Sequence, residues 1–507
     1  MKKTALIIMI ITLLSKLLGF GRDIVLSYFF GASSVSDAYL ISLTVPSVIF
    51  GIIGVGIVTA YIPMQSRVID DFGDEAASRF TSNFTNVILI IVTIVLIVGL
   101  IFTDSIVKLF AWGFSDETRE LTIDFTRISI LGVYFTVLFS IFSGYLQVKK
   151  NFIVPALVGF PLNIIVIISI FVASRGNYNI LAFGTLLATA SQLLLMLPFL
   201  RKHNFKYTIS LNLKDDRMIK MLYIALPVII GTSVNQINVL VDRTIASSLE
   251  VGAVSALNYA NRLNLFIQGL FVTSIITVMY PMISSYASKQ NFEGIKKSLK
   301  ESINLITLFV MPMTIGAMIF SDPIINLLFG RGAFDVTAIQ MTSTALFFYA
   351  IGMLGFGLRE VLARGFYAIQ DTKTPMINAG IGVLVNIILT VVLVRFLGIG
   401  GLALATSIAA MLTTLLLFKS LRNKIGPFGI RQISITFVKI SLASMLMGVV
   451  ARLAFNFLSA VLSEHVSLLI AIGVGALSYF TIVYFMKIED VDIIVQAIKK
   501  RFRREVT

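Results

Sequence analysis

Residues 4–30 read TALIIMIITLLSKLLGFGRDIVLSYFF, an apolar run long enough for one membrane-spanning helix. Lys16, Arg22 and Asp23 interrupt this run. A charge that faces lipid near the bilayer centre costs roughly 2.5–3.5 kcal/mol on insertion scales. Lys16 is about a dozen residues from either end of the run, so its side chain does not easily reach an interface. We therefore expect these charges to face protein or a water-filled cavity, and to serve function.

The composition of the whole chain is that of a polytopic membrane protein. Of its 507 residues, 57% are hydrophobic and 13% are charged, and the mean hydropathy is +0.94. The apolar runs are long rather than alternating, which predicts an all-α protein. The chain has no cysteine, two histidines and no GxxxxGK[ST] phosphate loop, which argues against thiol, zinc, triad and ATP-driven chemistry. We expect a transporter and not an enzyme, with no catalytic residues, no metal site and no nucleic-acid partner.

About fourteen membrane helices are predicted from the apolar runs. Their approximate ranges are 4–30, 38–65, 84–110, 123–148, 153–174, 179–200, 221–249, 254–287, 303–326, 337–368, 375–397, 399–418, 433–459 and 466–486. We divide the chain into an N-terminal lobe of helices 1–6 (1–210), a C-terminal lobe of helices 7–12 (211–425), two additional helices (426–487) and a basic amphipathic tail (488–507). The tail is expected to lie on anionic membrane lipid.

The distribution of Lys and Arg predicts the orientation. Residues 201–220 carry six basic residues, and 289–300 and 419–431 carry four each, whereas 31–37, 250–252 and 397–400 carry none. By the positive-inside rule, both termini are cytoplasmic, as an even number of helices requires.

A short internal repeat relates the two lobes. Thr59, Pro63, Met64 and Ser66 recur as Thr277, Pro281, Met282 and Ser284, at an offset of about 219 residues. Asp23 similarly corresponds to Asp242. Because six helices separate the copies, the lobes have the same membrane orientation and form a parallel pseudo-two-fold repeat. Chance similarity in an apolar alphabet is the alternative explanation.

Several cations lie deep within the predicted spans. Lys16, Arg22, Arg262 and Arg359 are the hardest to place at a membrane surface, and few anions accompany them. An excess of deep cations indicates an anionic ligand, and Arg suits phosphate because its planar fork donates two parallel hydrogen bonds. A diphosphate headgroup would fit. The alternative is that Asp23 and Asp37 neutralise these bases.

A second polar set could hold a monovalent cation. It comprises Asp242 on helix 7, Asn386 and Thr390 one turn apart on helix 11, and Thr406 on helix 12. Oxygen ligands with one net negative charge suit Na⁺. Pairing of Asp242 with Arg243, or hydrogen bonding across the bundle, is the alternative.

Four motifs of the chain are SKLLGFGRD at 15–23, YANRL at 259–263, LFGRGAF at 328–334 and VLARGFYAIQDTKTP at 361–375. They resemble those of the MurJ/MviN lipid II flippases, within the multidrug/oligosaccharidyl-lipid/polysaccharide exporter superfamily. The last, which contains Arg364, is the strongest match. The resemblance runs from helix 1 to helix 14.

This resemblance implies a function in cell-wall biogenesis and cell shape. It implies transport of an undecaprenyl-diphosphate-linked peptidoglycan precursor to the outer leaflet of the bacterial cytoplasmic membrane by alternating access. It places family cavity bases on Lys16, Arg22 and Arg262 and a cavity acid on Asp37; we add Asp23, Arg359 and Arg364 to the expected substrate site. Lys16 stands where the family has Arg. In cation-coupled relatives, the position of Thr390 is often Asp.

Other functions stay open at this point. A flippase for another polyprenyl-diphosphate oligosaccharide, such as a teichoic acid or capsule unit, is the first alternative, and a cation-coupled drug exporter is the second. A glycosyltransferase or a scaffold of the wall machinery is a third. Na⁺, H⁺ and the membrane potential are alternative driving forces. We expect no cofactor, a monomer, and contact with the cell-wall synthesis machinery as an open partner.

Overall fold

The computed structural model describes residues 2–488, without the side chains of 2–6, 52–53, 55–58, 222, 224, 227–228 and 230. Within this range, the fold is all-helical, as predicted. The helices are α1 Lys2–Phe30, α2 Ser34–Ile101, α3 Thr103–Phe110, α4 Asp116–Ser129, α5 Gly132–Val148, α6 Ile153–Leu157, α7 Gly159–Ala173, α8 Asn179–Lys202, α9 Asp216–Ser247, α10 Ala253–Ile267, α11 Thr273–Ser288, α12 Phe292–Ile319, α13 Ser321–Phe329, α14 Val336–Ala368, α15 Lys373–Leu397, α16 Ile399–Ile425, α17 Ile430–Ser459 and α18 Glu464–Phe485, with a π-helical turn at Gln268–Val272 between α10 and α11. The predicted tail lies, from residue 489 onward, outside the described residues.

Among the described residues, twelve helical segments are long and apolar enough to cross a membrane. Helices α1 and α9 are 29 and 32 residues long and carry intramembrane charges. The total of fourteen spans stays a prediction. Contacts divide the chain into two compact units, one of residues 1–255 with 331–338 and one of residues 256–330 with 339–507.

Helix α2 is a hairpin rather than one rod. Gly73 has φ 79° and ψ 179°, a conformation that interrupts the helix and reverses the chain. The two arms pack against each other: the Tyr61 ring stacks on Phe84 with centroids 5.2 Å apart. The Tyr61 hydroxyl also lies 2.8 Å from Thr81 Oγ1, and Gln65 donates to the Ala77 carbonyl over 3.3 Å. This pairing builds the core of the first unit.

The proline in the first arm of α2 is compensated by a neighbouring helix. Pro46 has no N–H, so the carbonyl of Ser42 loses its intrahelical donor. The Ser129 hydroxyl of α4 lies 2.9 Å from that carbonyl and 2.6 Å from the Phe125 carbonyl, so the two carbonyls share its single proton. A cavity of about 180 Å³ lies beside this kink and includes Ser47 and Thr136 in its lining.

In the second unit, Pro312 of α12 is compensated in the same way. The Leu308 carbonyl, left without a donor by the proline, accepts a 2.7 Å hydrogen bond from the buried Tyr479 hydroxyl of α18. Helices α17 and α18, predicted as additions to the two-lobe plan, pack against each other, and α17 packs on α12. Tyr479 thus ties α18 to the kink of α12.

In the first unit, the loops separate into two groups. In the first group, Ala333 N donates to the Tyr28 carbonyl over 2.8 Å, and Gly113 N donates to the Ser247 hydroxyl over 3.2 Å. In the second, Lys149 pairs with Asp74, and Asn151 lies 3.2 Å from the His203 ring. The loops predicted to share one side of the membrane therefore meet one another.

We expect Tyr479→Phe to destabilise the protein by about 1–2 kcal/mol, because it leaves the buried Leu308 carbonyl unpaired. Pro312→Ala restores an N–H that can donate to that carbonyl. In the Pro312→Ala background, Tyr479→Phe should therefore cost much less, which thermal unfolding of all four proteins in detergent would measure. Equal costs in both backgrounds would show that the hydroxyl does not compensate the proline.

Candidate functional site

The predicted site residues are distributed over both units. Lys16, Arg22, Asp23, Asp37 and Asp242 lie in the first. The second unit holds the remaining predicted residues, which are Arg262, Arg359, Arg364, Asn386, Thr390 and Thr406.

Arg22 and Asp23 form an ion pair on α1. The Arg22 guanidinium donates from Nη2 over 2.8 Å and from Nε over 3.2 Å to Asp23 Oδ1. The Asp23 side chain is 4% exposed, whereas that of Arg22 is 21% exposed. Helix α1 packs on α7 at small residues, since a Cβ at Gly159 would lie 1.9 Å from Ser15 Oγ. The buried Asp23 carboxylate therefore holds the partly exposed Arg22 guanidinium in place.

Lys16 differs from Arg22 in its surroundings. It is exposed, and within the described part of the chain the structure gives its ammonium group no hydrogen bond or ion pair. Since Asp23 compensates the charge of Arg22, Lys16 contributes the net positive charge of this helix segment.

Asp37 lies in a closed hydrogen-bond network rather than on an open surface. It is 2% exposed. Its two carboxylate oxygens accept from the backbone N–H groups of Gly252 and Ser255, each over 2.8 Å. The Ser255 hydroxyl lies 2.5 Å from Asp37 Oδ1 and 2.9 Å from Ser36 Oγ. Asp37 thus caps the first turn of α10, where the helix dipole and free N–H groups favour an anion.

The loops around Asp37 are packed backbone against backbone. Gly31 has φ 62° and Gly252 has φ 89°, values that side chains rarely tolerate. A Cβ on Gly31 would lie 2.3 Å from the Ala333 carbonyl oxygen, and one on Gly252 would lie 2.3 Å from that of Ala32. We call Ser36, Asp37, Gly252 and Ser255 the latch. Sequence reasoning missed it, although Ser36 and Ser255 are 219 residues apart, the offset of the repeat.

Arg364 is held between two aromatic rings in the second unit. Its guanidinium carbon lies 5.7 Å from the centroid of Tyr280 and 5.8 Å from that of Tyr367. Among the described residues, its buried Nε has no hydrogen-bond partner. Cation–π contacts orient the guanidinium without neutralising it, so it stays available to an anion.

The other two predicted arginines of this unit have different environments. Arg359 is 39% exposed, lies 4.0 Å from Glu360 and stacks over Phe356 at 5.6 Å. Arg262 is half-buried on α10, one turn and a half before the π-helical turn Gln268–Val272. In that turn, Gln268 donates to the Met353 carbonyl over 2.7 Å. Sequence gave no signal for this π-helical turn, a feature common at functional sites.

The predicted cation-binding residues occur in both units. In the second unit, the Asn386 amide donates to Thr406 Oγ1 over 3.1 Å and its oxygen lies 3.4 Å from Thr390 Oγ1. In the first unit, Asp242 Oδ2 accepts from Asn238 over 3.0 Å. Asp242 Oδ1 is buried and has no hydrogen-bond partner among the described residues.

The motif at 361–375 ends in a rigid turn. Asp371 accepts from Thr374 N over 3.0 Å and from Thr374 Oγ1 over 2.6 Å, and pairs with Lys424. Burial raises the pKa of Asp371, but the hydrogen bonds from Lys424 and Thr374 outweigh it and lower the pKa to about 2. The Asp371 carboxylate therefore fixes the start of α15.

The fold and the charged side chains within it define a multi-pass membrane transporter. Comparison with known proteins makes the class specific: residues 26–473 match the family model "Lipid II flippase MurJ". The chain belongs to the MurJ family of lipid II flippases, which are transporters of the bacterial cytoplasmic membrane and not enzymes.

Individual relatives agree with this assignment. The chain is 30% identical over 425 residues to "Probable lipid II flippase MurJ" of Buchnera aphidicola, covering 83% of each chain. It is 28% identical to the protein of that name from Vibrio cholerae, covering 97% of each. A solved structure, "Lipid II flippase MurJ, inward closed conformation", superposes with a TM-score of 0.83 at 29% identity, covering 95% of this chain and 98% of that one.

We expect Asp37→Ala to destabilise the protein by about 2–4 kcal/mol, because it leaves two buried N–H groups of the latch unpaired. Asp37→Asn, which keeps one acceptor oxygen, should cost about half as much. Asp335→Asn is the matched control, since exposed Asp335 caps α14 through Ala338 N over 2.8 Å. Thermal unfolding in detergent measures all three; similar losses for Asp37→Ala and Asp335→Asn would contradict the latch.

Proposed function

We propose that this protein moves lipid II, the undecaprenyl-diphosphate-linked peptidoglycan precursor, from the inner to the outer leaflet by alternating access. Membership of the MurJ family supports the substrate class. The observation that carries the proposed binding mode is the presence of intramembrane cations without a carboxylate partner among the described residues: Lys16 has no ion pair, and Arg364 is held by tyrosine rings. A diphosphate would supply the missing negative charge.

In this proposal, Lys16, Arg22, Arg262 and Arg364 bind the diphosphate. Asp23 orients Arg22, as its short contacts with the guanidinium indicate. Both termini are cytoplasmic, in keeping with the distribution of basic residues. The latch then lies at the outer side, because residues 31–33 and 250–252 lack Lys and Arg.

In alternating access, the latch would act as a gate. While Asp37 holds Gly252 and Ser255, the outer ends of α2 and α10 stay together. Release of substrate to the outer leaflet would require these hydrogen bonds to break. Asp37 therefore acts in gating rather than in substrate binding.

We expect Lys16→Ala to abolish support of growth when the protein is the sole flippase, while the variant still reaches the membrane. Loss of a charge-assisted contact to phosphate weakens binding by roughly ten- to a hundredfold. Lys16→Arg should retain function because it keeps the charge. Arg127→Ala removes a cation that is 57% exposed and 3.8 Å from Asp124, and should grow normally. Normal growth of Lys16→Ala would refute the assignment of Lys16 to the site.

The substrate itself is tested by depletion of the protein. Lipid II should accumulate in the inner leaflet of depleted cells. Accumulation of a teichoic acid or capsule intermediate instead would assign the protein to that pathway.

A reversible cross-link tests alternating access. The chain has no native cysteine, and the Ser36 and Ser255 hydroxyls are 2.9 Å apart, so Ser36→Cys with Ser255→Cys should form a disulfide on oxidation. We expect the oxidised double variant to lose lipid II transport and to regain it with reductant. Each single variant should be insensitive to oxidant. Full transport by quantitatively cross-linked protein would show that the latch does not open.

We further propose that a monovalent cation, Na⁺ or H⁺, couples to transport at Asp242. The support is its buried Oδ1, which has no hydrogen-bond partner within the described residues. Asp242→Asn should then remove the dependence of transport on a Na⁺ or pH gradient. Asn238→Ala, which removes only the neighbouring amide, should weaken that dependence without abolishing it. If Asp242→Asn transport responds to ion gradients as the native protein does, Asp242 is not the coupling site.

A further inference from the structure

The segment that connects α8 and α9 is not helical, and side chains of α2 hold its backbone at alternate residues; we call this extended segment the strand. Asn83 Oδ1 accepts from Asn212 N over 2.6 Å, and Asn83 Nδ2 donates to the Asn212 carbonyl over 3.0 Å. Asn86 donates to the Ser210 carbonyl over 2.7 Å. The asparagine side chains hydrogen-bond to the backbone as a neighbouring strand would. Residues 207–213 therefore have a fixed register on α2.

Three large apolar side chains of the strand are exposed. The exposed fractions are 95% for Ile209, 57% for Leu211 and 64% for Leu213, whereas the Tyr207 hydroxyl donates to Asn86 Oδ1 of α2. Side chains two residues apart in an extended segment share one face, and here that face is apolar. We call Ile209, Leu211 and Leu213 the apolar edge.

The strand lies at the end of a lipid-facing stripe. On the second arm of α2, Ile90, Ile94 and Ile97 are 45%, 58% and 53% exposed and recur at helical spacing, in a segment apolar enough to cross a membrane. Asn86 and Asn83 precede Ile90 by about one and two turns on the same face. The strand covers these two polar residues, and the apolar edge continues the stripe outward.

Basic residues surround the apolar edge. Lys206 and Lys214 flank it in sequence. Arg201 and Lys202 lie at the end of α8, and Lys220 lies near the start of α9. All five side chains are exposed. A membrane surface that contains anionic lipid attracts such residues, by about 1 kcal/mol for each one near the surface.

We propose that residues 206–214 form an interfacial anchor, in which the apolar edge inserts into the leaflet on the side of the basic loops and Lys206 and Lys214 bind anionic headgroups. The backbone groups of an extended strand that point away from α2 need hydrogen-bond partners, which the hydrocarbon core does not provide. The strand therefore lies at headgroup depth, where water and phosphate supply them, and only the side chains reach the acyl chains. This anchor does not depend on which lipid-linked substrate is transported.

Spin labels on the full-length protein in nanodiscs test the anchor, since the cysteine-free chain accepts single labels. Ile209→Cys is the probe. Ile94→Cys is the lipid reference, and Glu293→Cys, whose native side chain is 85% exposed, is the water reference. We expect the Ile209 label to be accessible to oxygen and protected from a water-soluble nickel chelate, close to the Ile94 label. Accessibility equal to that of Glu293 would overturn the proposal.

The headgroup contact is tested by lipid composition. In nanodiscs with phosphatidylglycerol, Lys206→Gln with Lys214→Gln should shift the Ile209 label toward water, and in pure phosphatidylcholine the same pair should have little effect. Equal shifts in both lipids would refute the contact with anionic headgroups. A label that is water-accessible in nanodiscs but protected in native membranes would mean that a protein covers the apolar edge, and the lipid anchor would be wrong.

Discussion

The hydrocarbon interior of a membrane offers no hydrogen-bond partner, and this protein satisfies two interruptions of its helices with its own side chains. Pro46 and Pro312 are both inside long helices, and a hydroxyl from another helix reaches the carbonyl that each proline leaves without a donor. These contacts also determine packing, because Ser129 fixes α4 against α2 and Tyr479 fixes α18 against α12. The hydrogen bonds that compensate the kinks therefore also hold the helices against each other.

The sequence predicted those features that depend on local composition. Long apolar runs predict membrane helices wherever they occur. Among the charges within residues 4–30, Asp23 is buried and Lys16 is exposed, so a protected environment for all of them stays a prediction. Motifs such as residues 361–375 indicated the family, which the comparisons confirmed. The sequence also predicted a break in α2, since Gly73 lies among the acidic residues between two predicted spans.

Features that depend on distant neighbours were beyond the sequence. The sequence indicated Asp37 as a cavity acid or as a partner of the deep bases, and only the fold brings the N–H groups of Gly252 and Ser255 to its carboxylate. The sequence identified Arg364 only as one arginine of a motif. Its contact with Tyr280 joins residues that are far apart in the chain, so the sequence did not predict it. The π-helical turn Gln268–Val272 has an ordinary helical sequence.

The charges of α1 distinguish its two cations. Arg22 is matched by a buried carboxylate one residue away, so the pair adds little net charge to its surroundings. Lys16 has no such partner among the described residues and is a compact point charge on a flexible stem, whereas an arginine would present a planar fork. In the proposed site, the Lys16 ammonium would donate hydrogen bonds to a phosphate without requiring a fixed plane.

Helix α2 is the fixed element on which both ends of α9 depend. At one end, Asn83 and Asn86 hold the strand that leads into α9, and Asp215 caps the first turn of α9 through Arg217 N over 2.9 Å. Burial raises the pKa of Asp215, but hydrogen bonds from Arg217 outweigh it and lower the pKa, so this cap stays ionised at neutral pH. At the other end, the latch holds the loop after α9 mainly through the Asp37 carboxylate, with the Ser36 hydroxyl beside it. Because the first attachment uses several dispersed hydrogen bonds and the second depends on Asp37, motion of α9 relative to α2 is expected to begin at the latch.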